Sequence, residues 1–103
     1  MYGETTVALL IVTLVARPGW EDEVDRWYDE DHIPEKMAID GFVAAHRYRS
    51  RTRPREFLTI YEMSDVRAAD VRVEPTEWTT RVKAGWESVS RSVWLLREEG
   101  HDG

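Results

Sequence analysis

The chain has 103 residues, the size of one domain, and carries a formal net charge of −6. Apolar residues make up 42% and charged residues 33%, a globular balance, and the negative charge argues against nucleic acid and anionic membranes as partners. With no cysteine and three histidines, disulfides and thiolate chemistry are excluded, and no structural zinc or other metal site is expected.

Residues 7–15 (VALLIVTLV) are nearly continuously apolar and rich in Val, Leu and Ile, which predicts a strand buried on both faces. The run falls well short of the ~20 residues of a membrane span. Tyr2-Gly3-Glu4 before it lacks the basic flank of a secretory signal, so a cytoplasmic location is expected. Arg17-Pro18-Gly19 breaks the strand. From Trp20 the period becomes helical: Trp20, Val24, Trp27 and Asp31 share one stripe, with Tyr28 and His32 at its edge. Glu21, Asp22 and Glu23 suit the positive end of that helix. Pro34 disfavours helix at Ile33 and is expected to end it, with a short irregular or helical piece to Ile39.

Asp40-Gly41 is a turn signal. Residues 42–50 then alternate, with Phe42, Ala44, His46, Tyr48 and Ser50 on one face and Val43, Ala45, Arg47 and Arg49 on the other. Residues 51–55 form a turn, and 56–63 (EFLTIYEM) a third strand, completing a hairpin. Ser64-Asp65 caps a short helical piece to about Asp70. Pro75 opens a second helix, whose apolar stripe is Trp78, Val82, Trp86 and Val89. Residues 92–97 (SVWLLR) read as the last strand, and the polar tail 98–103 as frayed. No internal repeat or linker interrupts this order, so residues 1–103 are expected to form one domain.

Strand, helix, strand, strand, helix, strand is the ferredoxin-like α+β pattern: a four-stranded antiparallel sheet with both helices on one face. The other face must be covered, because the first and last strands are apolar on both sides. A bare face of hundreds of Å² is more than monomers usually expose. A second copy in a two-fold homodimer is the simplest cover.

Tyr28-x-x-x-His32-x-Pro34 at the end of the first helix, followed by Asp40-Gly41-Phe42 and the basic strand HRYRSR, resembles the EthD-like branch of the dimeric α+β barrel superfamily. The usual Pro-Gly-Phe of that branch appears here with Asp40 in place of proline. The resemblance spans nearly the whole chain. It implies a pocket between sheet and helices in each subunit, with the histidine matching His32 pointing into it. Similar proteins include methylmuconolactone isomerases, polyketide cyclases, decarboxylases and anthrone-type oxygenases working without a cofactor.

His32 is the first catalytic candidate, since an unperturbed pKa near ~6.5 lets it give or take a proton around neutrality. The bland alternative is a histidine that satisfies carbonyls at a helix end. Tyr28, one helical turn earlier, could hydrogen-bond a substrate carbonyl or simply fill an amphipathic edge. Asp31 either sits beyond the helix end or enters the pocket to orient the imidazole. Asp29 and Glu30 fall on the outer face. For substrate binding, His46 and Tyr48 oppose His32 if their strand face looks toward the helices, and are interface residues if it looks the other way. Tyr61 lines the cavity or fills the core. Trp27, Trp78 and Trp86 form an aromatic wall or pack the helices. Arg47, Arg49, Arg51, Arg53 and Arg55 form either a solvated edge or a patch for a carboxylate.

The expected function is a cofactor-independent enzyme for a small hydrophobic carbonyl, polyketide-like or lactone compound. His32 would be general acid/base, and Tyr28 and Tyr48 would polarise the carbonyl in an isomerisation, cyclisation or decarboxylation. A cofactor-free monooxygenase is the rival enzyme. A dimeric ligand-binding or accessory module is the non-enzymatic rival, and a bare dimerisation domain a structural one.

Overall fold

The strands are β1 (Ala8–Ala16), β2 (Phe42–Arg49), β3 (Glu56–Met63) and β4 (Trp86–Leu95), in a computed structural model that describes residues 5–97. The tail 98–103 and Tyr2-Gly3-Glu4 lie outside the described residues. The sheet order is β2-β3-β1-β4, with every neighbouring pair antiparallel. The helical layer comprises α1 (Glu21–Trp27), a π-helical turn (Tyr28–His32), α2 (Ile33–Met37), a 3₁₀ turn (Val66–Asp70) and α3 (Glu77–Val82). The ferredoxin-like order expected from the sequence is the order found.

The helices cover one face of the sheet. Leu10 and Leu14 of β1 and Phe57, Tyr61 and Met63 of β3 are buried there, with Val24 and Trp27 of α1 and Val82 of α3. β3 alternates strictly between buried and half-buried residues, the signature of a sheet covered on one side. β1, expected to be buried on both faces, is in this chain fully buried only on the helical side; Leu9, Ile11 and Val15 on the other side are half-buried. Asp40-Gly41 turns as predicted, and Gly41 has φ +101°, a conformation that favours glycine.

Three local features depart from the expected pattern. First, Pro34 does not end the helix. The Ile33 amide bonds back to the Tyr28 carbonyl, five residues earlier, and α2 begins with Pro34 in its first turn. The missing N–H of the proline falls just after the wider π-helical turn, where the helical register changes. Second, α3 runs from Glu77, capped by Thr76, and stops at Val82. A 3₁₀ turn, Lys83–Gly85, then leads into β4 at Trp86, so Trp86 and Val89 are strand residues. A Cβ on Gly85 would meet the Trp20 ring at 2.2 Å, so only glycine lets the chain pass. Third, β2 carries a bulge at Val43: Phe42 pairs with Met63, but Ala44 pairs with Glu62. The bulge reverses the alternation. Phe42 therefore shares its face with Ala45, Arg47 and Arg49, while Ala44, His46 and Tyr48 face away from the helices.

Candidate functional site

Beneath the π-helical turn lies a cavity of about 200 Å³. Leu10, Val12 and Leu14 of β1 form its floor, and Trp27, Tyr28 and His32 its roof. Trp86 and Val89 of β4 close one side. A second hollow of about 330 Å³ lies on the other side of His32, flanked by Glu35, Arg72 and Lys83. The two hollows share His32, Lys36 and Thr79. A larger groove of about 540 Å³ near Asp40 and Asp65 shares no lining residue with the His32 hollows and is lined largely by the β2 entry turn.

His32 stands where the hollows meet. Its ring stacks on Trp27 at 4.4 Å and meets the Tyr28 ring edge-on at 5.7 Å. Burial, reinforced by the Lys36 ammonium and only partly opposed by Asp31, lowers its pKa to about 4. The imidazole is thus neutral around pH 7. Its Nδ1 is buried without a hydrogen-bond partner among the described residues; Glu35 Oε1, at 4.0 Å, is too far to serve. Tyr28 is buried, and that burial raises its pKa although Thr59 and Arg47 act against it. Its phenol therefore stays protonated, with Thr59 and Arg47 beside it. The guanidinium of Arg47 lies 4.8 Å from the Tyr28 ring centroid.

Among the described residues Asp31 makes no hydrogen bond to the imidazole. Its carboxylate accepts from the Thr76 hydroxyl at 2.7 Å and the Thr79 hydroxyl at 3.3 Å. It ties the π-helical turn to the start of α3, which is how a carboxylate on an otherwise apolar stripe is satisfied. Trp27 also reaches α3, through its indole N–H to Thr79 Oγ1 at 2.9 Å. Trp78 is half-buried against the core around Val24 and Val82, bonded to Glu23 at 2.8 Å and covered by Arg26, and does not line the 200 Å³ cavity. Tyr61 is fully buried against Phe42 in the neighbouring core cluster, and burial raises its pKa.

His46 and Tyr48 lie on the opposite face of the sheet from His32, because of the bulge at Val43. His46 pairs there with Glu62 at 2.5 Å, and Tyr48 is 54% exposed. The arginine run is largely engaged within the chain. Arg47 binds Asp25 and Asp29, Arg53 binds Glu56, and Arg55 binds Glu87 and the Ala16 carbonyl. Asp29 and Glu30 are exposed as expected, the first on Arg47 and the second on Arg26.

Lys36, Thr79 and Arg91 also line the cavity, although the sequence pattern does not single them out. Lys36 follows His32 by four residues on a helix that the pattern ends at Pro34. Arg91 follows Val89 by two on a strand that the pattern starts later. A continuous helix past Pro34 and an earlier β4 bring both to the site.

Neither protein-family models nor curated proteins match this sequence. Solved structures do. A candidate antibiotic biosynthesis monooxygenase from Nitrosomonas europaea superposes with a TM-score of 0.75 at 13% identity, covering 94% of this chain and 96% of the other. Rv0793 from Mycobacterium tuberculosis gives 0.74 at 19% identity, covering 91% and 98%. A mutant of SnoaB, a cofactor-independent oxygenase from Streptomyces nogalater, gives 0.67 at 13% identity, covering 92% and 97%. Across nearly its whole length, then, the chain shares the fold of the antibiotic biosynthesis monooxygenase-like structures.

Proposed function

We propose that this chain is an EthD-like, cofactor-independent enzyme that binds a hydrophobic carbonyl compound in the His32 cavity and moves a proton on it, working as a homodimer. The observation that carries this reading is a half-buried, neutral imidazole at an apolar cavity, with one ring nitrogen unpartnered among the described residues. His32 takes a proton from the carbon beside the carbonyl, leaving an enolate. The protonated phenol of Tyr28 donates a hydrogen bond to the developing oxyanion. Returning the proton at another carbon completes an isomerisation; attack of the enolate on a second carbonyl completes a cyclisation. A histidine of such low pKa is a weak base, so the anion it forms must be stabilised where it forms.

The homodimer is supported by the uncovered sheet face. Leu9, Ile11, Leu58 and Ile60 are half-buried on it, beside Trp94, which is 57% exposed. An apolar surface of this kind is what a two-fold partner covers.

The likeness to a cofactor-independent oxygenase favours a second reading with the same first step. Here the carbanion of an activated phenolic ring reacts with dioxygen; a CH₂ group becomes a carbonyl and one water leaves. The test supplies an anthrone in an oxygen electrode and, separately, a lactone and a β-keto acid under anaerobic conditions. Turnover is expected with one class, falling ~10²–10⁴-fold in His32→Ala. A folded His32→Ala protein with undiminished turnover contradicts the role given to His32. Ligands that bind and are recovered unchanged point instead to a binding module.

A further inference from the structure

The His32 cavity holds two cations that the proton-transfer scheme does not use. Lys36 on α2 and Arg91 on β4, opposite Val12, both line it. Among the described residues neither has a carboxylate within ion-pair distance, whereas Arg26, Arg47, Arg53, Arg55 and Arg67 each have one. The Lys36 ammonium rests 5.7 Å from the Phe42 ring centroid. Arg91, at the cavity rim, donates to the Ala69 carbonyl at 2.6 Å, which fixes its direction. Burial first and the Arg91 guanidinium second hold the Lys36 pKa below the usual lysine range. Lys36 is half-buried and Arg91 exposed at the rim, and two like charges on one hollow repel unless something negative joins them. That this happens in a chain of net charge −6 makes a shortage of carboxylates an inadequate reason.

The indole N–H of Trp86 and Nδ1 of His32 belong to lining residues and are buried without partners among the described residues, with almost no surface open to the cavity. The floor between them is aliphatic. The volume of about 200 Å³ fits one ring or two fused rings, since a cavity of about 150 Å³ already holds benzene. A ligand with a flat apolar body and an anionic end matches the aliphatic floor and the two cations.

We propose, building on the cavity assigned above, that its ligand is a hydrophobic carboxylate whose ring body lies over Leu10, Val12 and Leu14 and whose carboxylate bridges Lys36 and Arg91. A carboxylate accepts charge-assisted hydrogen bonds from both an ammonium and a guanidinium. The same pair of cations supplies the stabilisation that a weak base at His32 needs, because the negative charge formed by deprotonation develops close to them.

The test compares 2-naphthoate with 2-naphthamide, which have the same shape and differ in charge, by calorimetry on the full chain. The naphthoate is expected to bind more tightly by about tenfold or more. That preference disappears in Lys36→Met and in Arg91→Met, and survives in Arg51→Met, the same charge change in the β2–β3 turn. Thermal midpoints establish that each variant is folded, and Lys36→Gln is a second variant should Lys36→Met misfold. Equal affinity for acid and amide overturns the carboxylate assignment while leaving the cavity and His32 in place. Binding of neither probe overturns both. A preference that persists in folded Lys36 and Arg91 variants also overturns the assignment.

Discussion

His32 lies face to face with Trp27, five residues upstream, with ring centroids 4.4 Å apart and planes 19° apart. A spacing of five aligns with the π-helical repeat, not the α-helical one. The turn Tyr28–His32 is therefore what sets the imidazole on the indole and above the cavity. Pro34 starts the next helical segment, and the continuation of that segment delivers Lys36 to the same hollow.

Asp31 and Thr79 are expected to act on stability and not on chemistry. Thr79 Oγ1 receives the Trp27 indole N–H and lies within hydrogen-bond distance of Asp31. Thr79→Val leaves a buried N–H and a carboxylate short of a partner, at a cost of about 1–3 kcal/mol. Asp31→Asn keeps the shape and weakens the tie to Thr76. Urea denaturation should show both losses, while the rate per folded molecule stays near wild type. A large loss of rate in a stably folded Asp31→Asn would return Asp31 to the reaction.

Gly85 and Gly19 make a contrasting pair. Alanine at Gly85 drives a methyl into the Trp20 ring, with the built Cβ 2.2 Å away, and overpacking of this kind costs about 1–3 kcal/mol or more. Gly19 has φ +87° but open space around it, so Gly19→Ala costs about 1 kcal/mol through backbone strain alone. Thermal midpoints should fall clearly further for Gly85→Ala. Equal losses would mean that the Trp20 contact is loose.

Acid should destabilise the fold through His32. Its folded pKa of about 4 lies below the ordinary 6.5, so below pH 6.5 the unfolded chain takes up a proton that the folded chain refuses. Stability is full above pH 6.5 and is lost as the pH falls toward 4, by about 3 kcal/mol from this group. Denaturant midpoints at pH 7.0 and pH 5.0 should differ in the wild type. His32→Phe should remove most of that difference.

The open sheet face should control assembly. Ile11 and Ile60 are cross-strand partners at its centre. Ile60→Glu places a charge in the middle of an apolar patch, and the protein should sediment as a monomer where the wild type sediments as a dimer. A wild-type monomer would leave the exposed Trp94 without a reason.

The element order is readable because β1 and β3 keep regular apolar patterns and Gly41 and Asp65 mark a turn and a cap. Two β-bulges are not. At Val43 an inserted residue flips His46 and Tyr48 to the far face. Between Ser88 and Trp86 a second register shift puts Trp86 and Val89 on one side of β4. A spacing of three then imitates a helical stripe, so the pattern extends the helix into what is a strand. The candidate site is half legible. Tyr28, His32, Trp27 and Trp86 line the cavity, whereas Asp31, Tyr61 and Trp78 serve packing. Lys36 and Arg91 stay hidden because both lie just past boundaries that the sequence places too early or too late.

The most direct measurement is the NMR titration of the His32 ring in the intact chain, using carbon- and nitrogen-labelled histidine, with His32→Gln to assign the signal. The imidazole is expected to stay neutral down to about pH 5 and titrate near 4, moving upward when 2-naphthoate binds beside it. A ring that titrates near the ordinary 6.5 and ignores the ligand would contradict a buried base at the cavity.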